Sequence, residues 1–144
     1  MGSVILDEFK TIPAKQLSPL VLAYIGDAVF ELIVRTMVVS WGNAPVNKLH
    51  KEASSIVKAK SQAEMYFKIE NMLTEDELSV LKKGRNAKSF TVPKNADVSD
   101  YRHATGVEAL FGYLYIENKM ERALELFKAG IGVETKENCF EQVR

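Results

Sequence analysis

Apolar side chains recur at helical spacing along most of the chain, and the alternation of apolar and polar residues that is typical of strands is absent. Ser18 and Pro19 predict the start of a first long helix, because a serine hydroxyl caps free backbone amides and proline fits the first helical turn. This helix is expected to run to about Ser40, where the segment WGNAP at 41–45 ends it. We therefore expect an all-α fold.

The middle of the chain gives two further helices. Asn47 is expected to cap a long one that extends to about Phe67, and Ser61 with Glu64 offers a second cap partway along it. Thr74 and Glu77 have the spacing of a capping box, which predicts the start of a short helix. Gly84 is expected to end that helix, since glycine is common just beyond a helical C-terminus.

The last part of the chain combines a loop with two helices. Residues 84–98 contain Gly, Asn and Pro without helical periodicity and are expected to form a loop. Ser99 or Asp100 is expected to cap the next helix, which ends near residues 118–119. A final helix is expected at about 120–129.

Length and composition favour one domain in a reducing compartment. A chain of 144 residues can bury a core without disulfides, and we expect a single domain at 1–130 with a C-terminal tail at 131–144. Cys139 is the only cysteine, which excludes an intramolecular disulfide. The N-terminus carries no recognisable targeting signal. We therefore expect a cytoplasmic protein.

The apolar stretch at 20–39 is not expected to cross a membrane. Its charged residues Asp27, Glu31 and Arg35 would each cost about 2.5–3.5 kcal/mol near the centre of a bilayer. A helix of a water-soluble domain is the better interpretation.

One aspartate stands among apolar residues in the segment AYIGDAVFEL at 23–32. Its neighbours cover most of the predicted helix surface, so we expect Asp27 to be drawn inside. A buried carboxylate needs a cation, hydrogen-bond donors, a metal or a proton. An aspartate with a purely structural role, hydrogen-bonded to a neighbouring helix, explains the pattern equally well.

Glu108 repeats the anomaly in the segment YRHATGVEALFGYLYIE at 101–117. Gly106, Ala109 and Gly112 are small enough to let another helix approach closely. Two helices packed there would bring Asp27 and Glu108 together. Paired carboxylates are ligands that suit Mg²⁺ or Mn²⁺.

Positive charge is local, because 19 basic and 19 acidic residues leave the whole chain with a net charge of +0. The segment KKGRNAKSFTVPK contains five cations and no acid, which favours contact with phosphates. Surface clusters of this kind often only keep a fold hydrated, and that alternative stays open. Its cations are Lys82, Lys83, Arg85, Lys88 and Lys94.

Several more specific motifs for phosphate, zinc or base binding are incomplete in the sequence. Ala87 stands where a phosphate-binding loop needs glycine before Lys-Ser. His50 and His103 lack a second histidine at zinc-ligand spacing, although His103 is placed to line the site. Tyr113 and Tyr115 are better explained by core packing than by base stacking.

The motifs together resemble the ribonuclease III family, and within it the compact mini-ribonuclease III group. YIGDAVFEL is similar to the family's signature helix and TGVEALFGYLYIE to its second carboxylate helix. AKSQAE, KKGRNAKS and PKNADV add separated matches in the right order, so that the resemblance covers roughly residues 17–128.

This resemblance implies an all-helical, dimeric endonuclease that needs Mg²⁺, or Mn²⁺ in its place, and cleaves double-stranded RNA to products with 5′ phosphates. Its implied substrate is the precursor of large-subunit (23S) ribosomal RNA, with a ribosomal protein as a presenting partner and no membrane involved. Asp27 and Glu108 match the catalytic, metal-binding carboxylates. Ala23 and Thr105 stand where full-length members carry two more acids, and the double-stranded RNA-binding domain of those members is not expected here.

We assign RNA phosphate contacts to a set of polar residues around the basic segment. Its members are Arg85, Lys88 and Lys94, followed by Lys60, Asn86 and Arg102. Two other functions stay open. A non-catalytic, ribosome-associated RNA-binding module would explain Ala23 and Thr105, whereas a helical dimerisation domain would explain neither acid.

Overall fold

The computed structural model describes residues 3–88 and 97–132, and the α-helix is the regular element over this part of the chain. The expected all-α fold is therefore confirmed. Short 3₁₀ turns at Ala14–Gln16 and Glu70–Met72 join longer helices. The helices are α1 (Val4–Phe9), α2 (Pro19–Ser40), α3 (Val46–Val57), α4 (Ala59–Ile69), α5 (Glu75–Asn86), α6 (Val98–Ile116) and α7 (Met120–Ile131).

Helix α6 is the centre of the fold. It contacts α2, α4, α5 and α7, and nearly every residue from Ala104 to Leu114 is buried. Phe111 of α6 meets Phe30 of α2 edge to face, with ring centroids 5.2 Å apart, and Phe127 of α7 meets the same Phe30 ring at 5.6 Å. A side chain near the middle of α6 is thereby held by several helices at once.

Local capping chemistry sets two of the helix starts as expected. The Ser18 hydroxyl accepts a hydrogen bond from the Val21 amide at 3.2 Å, with Pro19 in the first turn. Thr74 and Glu77 form both bonds of the capping box, at 3.2 and 2.9 Å. Each such cap stabilises its helix by about 1 kcal/mol.

Three expected boundaries are wrong. Helix α3 begins at Val46 after Pro45, so Asn47 is not its cap, and the single long helix is divided at Lys58, whose backbone is extended. Helix α6 begins at Val98 because the Asp97 side chain, rather than Ser99 or Asp100, accepts a bond from the backbone, here the Asp100 amide at 3.1 Å. The predicted loop contains residues 89–96, which lie outside the described residues, as does the tail from 133 onward.

Gly84 does not end α5, which continues to Asn86. A Cβ at Gly84 would lie 2.9 Å from the Gly106 Cα and 2.8 Å from the Ala109 Cβ. The absence of a side chain at Gly84 therefore allows α5 to pack closely against α6. From the sequence alone, such a glycine looks the same as one that ends a helix.

The apolar stretch at 20–39 falls within α2. Across the described residues, the search for a helix both long enough and apolar enough to cross a membrane finds none.

A buried ion pair joins α5 to α7. Glu77 is 5% exposed, and Arg122 donates to its two carboxylate oxygens at 2.9 Å each. The same guanidinium donates to the Met72 carbonyl at 2.8 Å and pairs with Glu125. The hydrogen bonds from Arg122 hold the pKa of Glu77 below its usual value, against the opposing effect of burial.

Replacing Arg122 with alanine leaves the Glu77 charge buried without its partner. We expect the free energy of unfolding at pH 7 to fall by about 2–3 kcal/mol, less than for a fully buried pair because Arg122 is partly exposed. Because the pKa of Glu77 is lowered by folding, the stability it contributes is present above its unfolded pKa and is lost on acidification. The difference between parent and variant should therefore close as the pH falls below about 4.5.

Denaturant unfolding across pH 3–8 checks this. Lys15→Ala is the matched control, since its pair with Asp76 is exposed and is expected to contribute less than about 1 kcal/mol. Equal losses in the two variants would contradict a special role for the Arg122–Glu77 pair.

Candidate active site

Helices α2 and α6 touch through their backbones at a pair of glycines. A Cβ at Gly26 would lie 1.6 Å from the Glu108 carbonyl oxygen, and a Cβ at Gly112 would lie 2.0 Å from the Leu22 carbonyl oxygen. Both distances are far shorter than any van der Waals contact, so only glycine fits at either position. The crossing therefore fixes Asp27, the residue after Gly26, beside Glu108.

The carboxyl groups of Asp27 and Glu108 lie close enough at this crossing for Asp27 to affect the ionisation of Glu108. Burial is the main cause that raises the pKa of Glu108, to about 9, and the nearby Asp27 carboxyl group adds to it. Glu31, one turn further along α2, raises it further. These effects favour the protonated form of Glu108 at neutral pH.

The expectation that Asp27 is drawn inside is wrong. Asp27 is exposed, and Glu108 is the half-buried member of the pair. The prediction failed because some of the apolar residues around Asp27 on α2 face outward rather than toward the core. On that outward surface Tyr24 is 83% exposed and Leu32 is 67% exposed.

Two carboxylates on facing helices fit one Mg²⁺ ion, which uses one or two carboxylates and keeps several of its waters. The cation would relieve the repulsion that otherwise holds a proton on Glu108. Ala23 and Thr105 contribute no charge, and the Thr105 hydroxyl donates to the Tyr101 carbonyl of its own helix at 2.9 Å. Within the described ranges, no cluster of three or more His, Cys, Asp or Glu residues could hold a metal, so the pair would act with water and substrate oxygens.

Arg85 of α5 packs against α6 at Gly106. A Cβ at Gly106 would lie 3.2 Å from the Arg85 amide nitrogen. The Arg85 guanidinium is half-buried and donates to Asn86 Oδ1 at 3.0 Å. Arg85 and Asn86, both predicted site residues, are thus held together at the end of α5 on the α6 side.

The other predicted RNA-contacting residues that the structure describes are exposed. Lys60 is exposed near the start of α4, Lys88 is exposed just beyond α5, and Arg102 is exposed near the start of α6. Lys94 lies outside the described residues.

Glu31 and Tyr66 interact with predicted site residues, but neither was predicted from the sequence. Glu31 acts electrostatically on Glu108, and its helical spacing from Asp27 was the available signal. Tyr66 hydrogen-bonds to Arg85 from 19 residues away, which no local pattern indicates. The His103 ring meets Tyr66 edge to face and Phe67 at a tilt. Tyr113 is buried in the core, as expected.

Comparisons with known proteins agree with this geometry. The ribonuclease III domain family matches residues 20–119. A mini-ribonuclease 3 of Thermoanaerobacter sp. is 50% identical over 81% of this chain and 82% of its own length, and one of Clostridium tetani is 48% identical over 88% and 85%. A crystal structure of a Fusobacterium nucleatum protein superimposes with a TM-score of 0.73 at 33% identity, covering 81% of this chain and 93% of that one.

Adding one methyl group at Gly26 tests the crossing. Gly26→Ala forces a Cβ into the backbone of α6, which cannot move aside as a side chain does, so we expect unfolding to become easier by more than about 3 kcal/mol. Thermal and denaturant unfolding measure the loss. Gly130→Ala is the comparison and should cost less, because the three atoms nearest to its methyl group all belong to the Met65 side chain, which can shift where a backbone cannot. Similar stabilities for the two variants would mean that α2 and α6 do not touch as described.

Proposed function

Because the chain belongs to the ribonuclease III family and is an endoribonuclease of that type, we propose that it cleaves both strands of double-stranded RNA with Mg²⁺ as its cofactor. The observation that supports this most is the meeting of Asp27 and Glu108 at the α2–α6 crossing. One of these carboxyl groups is exposed and the other is half-buried, so the pair is within reach of a large substrate.

In this proposal Asp27 and Glu108 would hold the metal, with the Glu108 carboxyl group ionised. The chemistry supplied there would be activation of a water for attack on phosphorus and stabilisation of the negative charge on the departing 3′ oxygen. The products then carry 5′ phosphates. Mn²⁺ is the expected substitute, since it accepts the same oxygen ligands.

The RNA duplex would be held by its backbone. A-form RNA hides its base edges in a deep, narrow groove, so a protein reads phosphates, 2′ hydroxyls and shape. We assign phosphate contacts to Arg85, Lys88 and Lys94, supported by Asn86, Lys60 and Arg102. Since these contacts release counterions from the duplex, binding should weaken steeply with salt.

The natural substrate that fits this proposal is the precursor of large-subunit (23S) ribosomal RNA in the cytoplasm. Support comes from the similarity to mini-ribonuclease 3 proteins over most of their length. A ribosomal protein that presents the precursor is the partner we propose.

We propose that two copies of the chain form the active unit through the outward surface of α2. An apolar stripe runs along this surface, which comprises Leu20, Val21, Tyr24, Ala28 and Leu32. Single exposed apolar residues are ordinary, but a stripe along one helix that also carries a catalytic acid indicates a contact surface. A second copy is the occupant that gives each duplex strand its own acid pair.

The neighbouring groove supports this pairing. A cavity of about 650 Å³ opens between α2 and α7, and Leu32, Thr36 and Leu124 are among its lining residues. If the two-fold axis passes near Ala28, antiparallel α2 helices place Tyr24 of each copy opposite Leu32 of the other, and Leu20 opposite Thr36. The exposed Tyr24 ring then fills the partner's groove, as an aromatic anchor does in a tight interface.

Cleavage of duplex RNA by the purified chain in Mg²⁺ tests the activity. We expect Asp27→Asn to fold normally and to cut about 10²–10³-fold more slowly, the range for loss of one preorganised charge-stabilising group. Glu64→Gln, which removes an exposed acid from α4, is the matched control and should cut at the parental rate.

The non-catalytic alternative gives a different result. An RNA-binding module would bind the duplex in a gel-shift assay but leave it intact under every metal and salt condition, and Asp27→Asn would change nothing. That result would overturn the enzyme assignment and retain RNA binding, which Ala23 and Thr105 favour.

Sedimentation of the parent and of Tyr24→Asp tests the dimer. A charge in place of the central aromatic ring should weaken dimerisation more than about tenfold. Phe9→Ala, which removes an equally exposed aromatic ring from α1, should remain dimeric. A parent chain that is monomeric at tens of micromolar concentration would exclude this interface.

A further inference from the structure

Tyr66 presents an unusual combination of burial and hydrogen bonding. Its side chain lies in α4 and is 0% exposed, yet its hydroxyl oxygen accepts a hydrogen bond at 2.8 Å from the Arg85 guanidinium Nη1, which is half-buried at the end of α5. A phenylalanine would fill the same space in the core. The hydroxyl therefore needs an explanation other than packing.

Two neighbouring rings contact the Tyr66 ring. His103 of α6 meets it edge to face with centroids 4.6 Å apart, and Phe67 meets it at 5.2 Å. His103 is itself fixed by a 2.7 Å contact between its Nδ1 and the Ser99 carbonyl. Burial chiefly raises the pKa of Tyr66, and Glu70 also raises it while Arg85 lowers it, so the phenol stays neutral and can accept from the cation.

Arg85 is fixed at both ends. Its backbone lies against Gly106, where no side chain could intervene, and its guanidinium is bonded to Tyr66 and Asn86. A guanidinium has five N–H donors, and within the described part of the chain the bonds to Tyr66 and Asn86 use two of them, so the group can also donate to an anion. An arginine has about 2 kcal/mol of side-chain rotamer entropy, and a prepositioned one loses less of it on binding.

We propose that Tyr66 is a positioning residue that orients the Arg85 guanidinium for contact with an RNA phosphate. This role rests on the proposed function, since it concerns the same RNA-binding surface. The Tyr66 hydroxyl does not touch the RNA. It holds Arg85 in one orientation, so that the two-pronged contact with a phosphate forms at a lower cost in side-chain entropy.

The test compares Tyr66→Phe with Tyr113→Phe, which removes a hydroxyl from another buried tyrosine of the core. We expect Tyr66→Phe to fold, to bind duplex RNA about three- to tenfold more weakly, and to raise KM in proportion while kcat is unchanged. No charge is lost, so the salt dependence of binding should keep the parental slope. Arg85→Ala should instead reduce that slope by about one phosphate contact.

A double-mutant cycle distinguishes positioning from general destabilisation. In an Arg85→Ala background, Tyr66→Phe should have no further effect on RNA affinity, whereas a structural effect would persist. If Tyr66→Phe does not fold, Arg85→Lys serves instead, since it keeps the charge and loses the fork. Affinity within about twofold of the parent for the folded variant would overturn the role.

The outcomes separate this role from the proposed function. A parent chain that cuts duplex RNA, together with a folded Tyr66→Phe that binds like the parent, would overturn only the positioning of Arg85. An Arg85→Ala variant that binds like the parent would overturn both the positioning role and the assignment of a phosphate contact to Arg85, while leaving the cleavage activity in place. A parent chain that neither binds nor cuts the duplex would overturn both this role and the proposed function.

Discussion

The backbone contact between α2 and α6 is the constraint on which the rest of the site depends. Two glycines remove the side chains that would separate the helices, and the Glu108 carbonyl comes to lie where a Gly26 side chain would stand. An acid follows Gly26 on one helix and Glu108 stands on the other. The distance between these acids is therefore set by the closest approach of two helices in the core rather than by a loop, which is how a site is held rigidly.

The same contact creates an electrostatic problem that the fold itself leaves uncompensated. Glu108 is half-buried beside two other acids, and its pKa is raised to about 9 mainly by burial. By contrast, the buried carboxylate of Glu77 is paired with the Arg122 guanidinium. The contrast is informative, because a proton or a divalent cation is left as the compensation for Glu108. Strongly shifted carboxyl groups of this kind mark functional sites more often than structural ones.

Local signals in the sequence predicted the fold well, and long-range contacts explain where prediction failed. Ser18 and the Thr74–Glu77 box cap helices through bonds that span three residues, so the pattern contains the information. The exposure of Asp27 depends on which surface of α2 the other helices cover, and the Tyr66–Arg85 bond joins residues 19 positions apart. The meeting of Asp27 and Glu108 was predictable because small residues on α6 indicated a close helix contact.

The most direct test of this account is a carbon-13 NMR titration of the Glu108 carboxyl group in metal-free protein. The account predicts a midpoint far above 4.5, near pH 9, that moves down in Asp27→Asn and falls sharply when Mg²⁺ is added. An ordinary midpoint near 4.5 that responds neither to the substitution nor to the metal would contradict it, because the two acids would then not share one site.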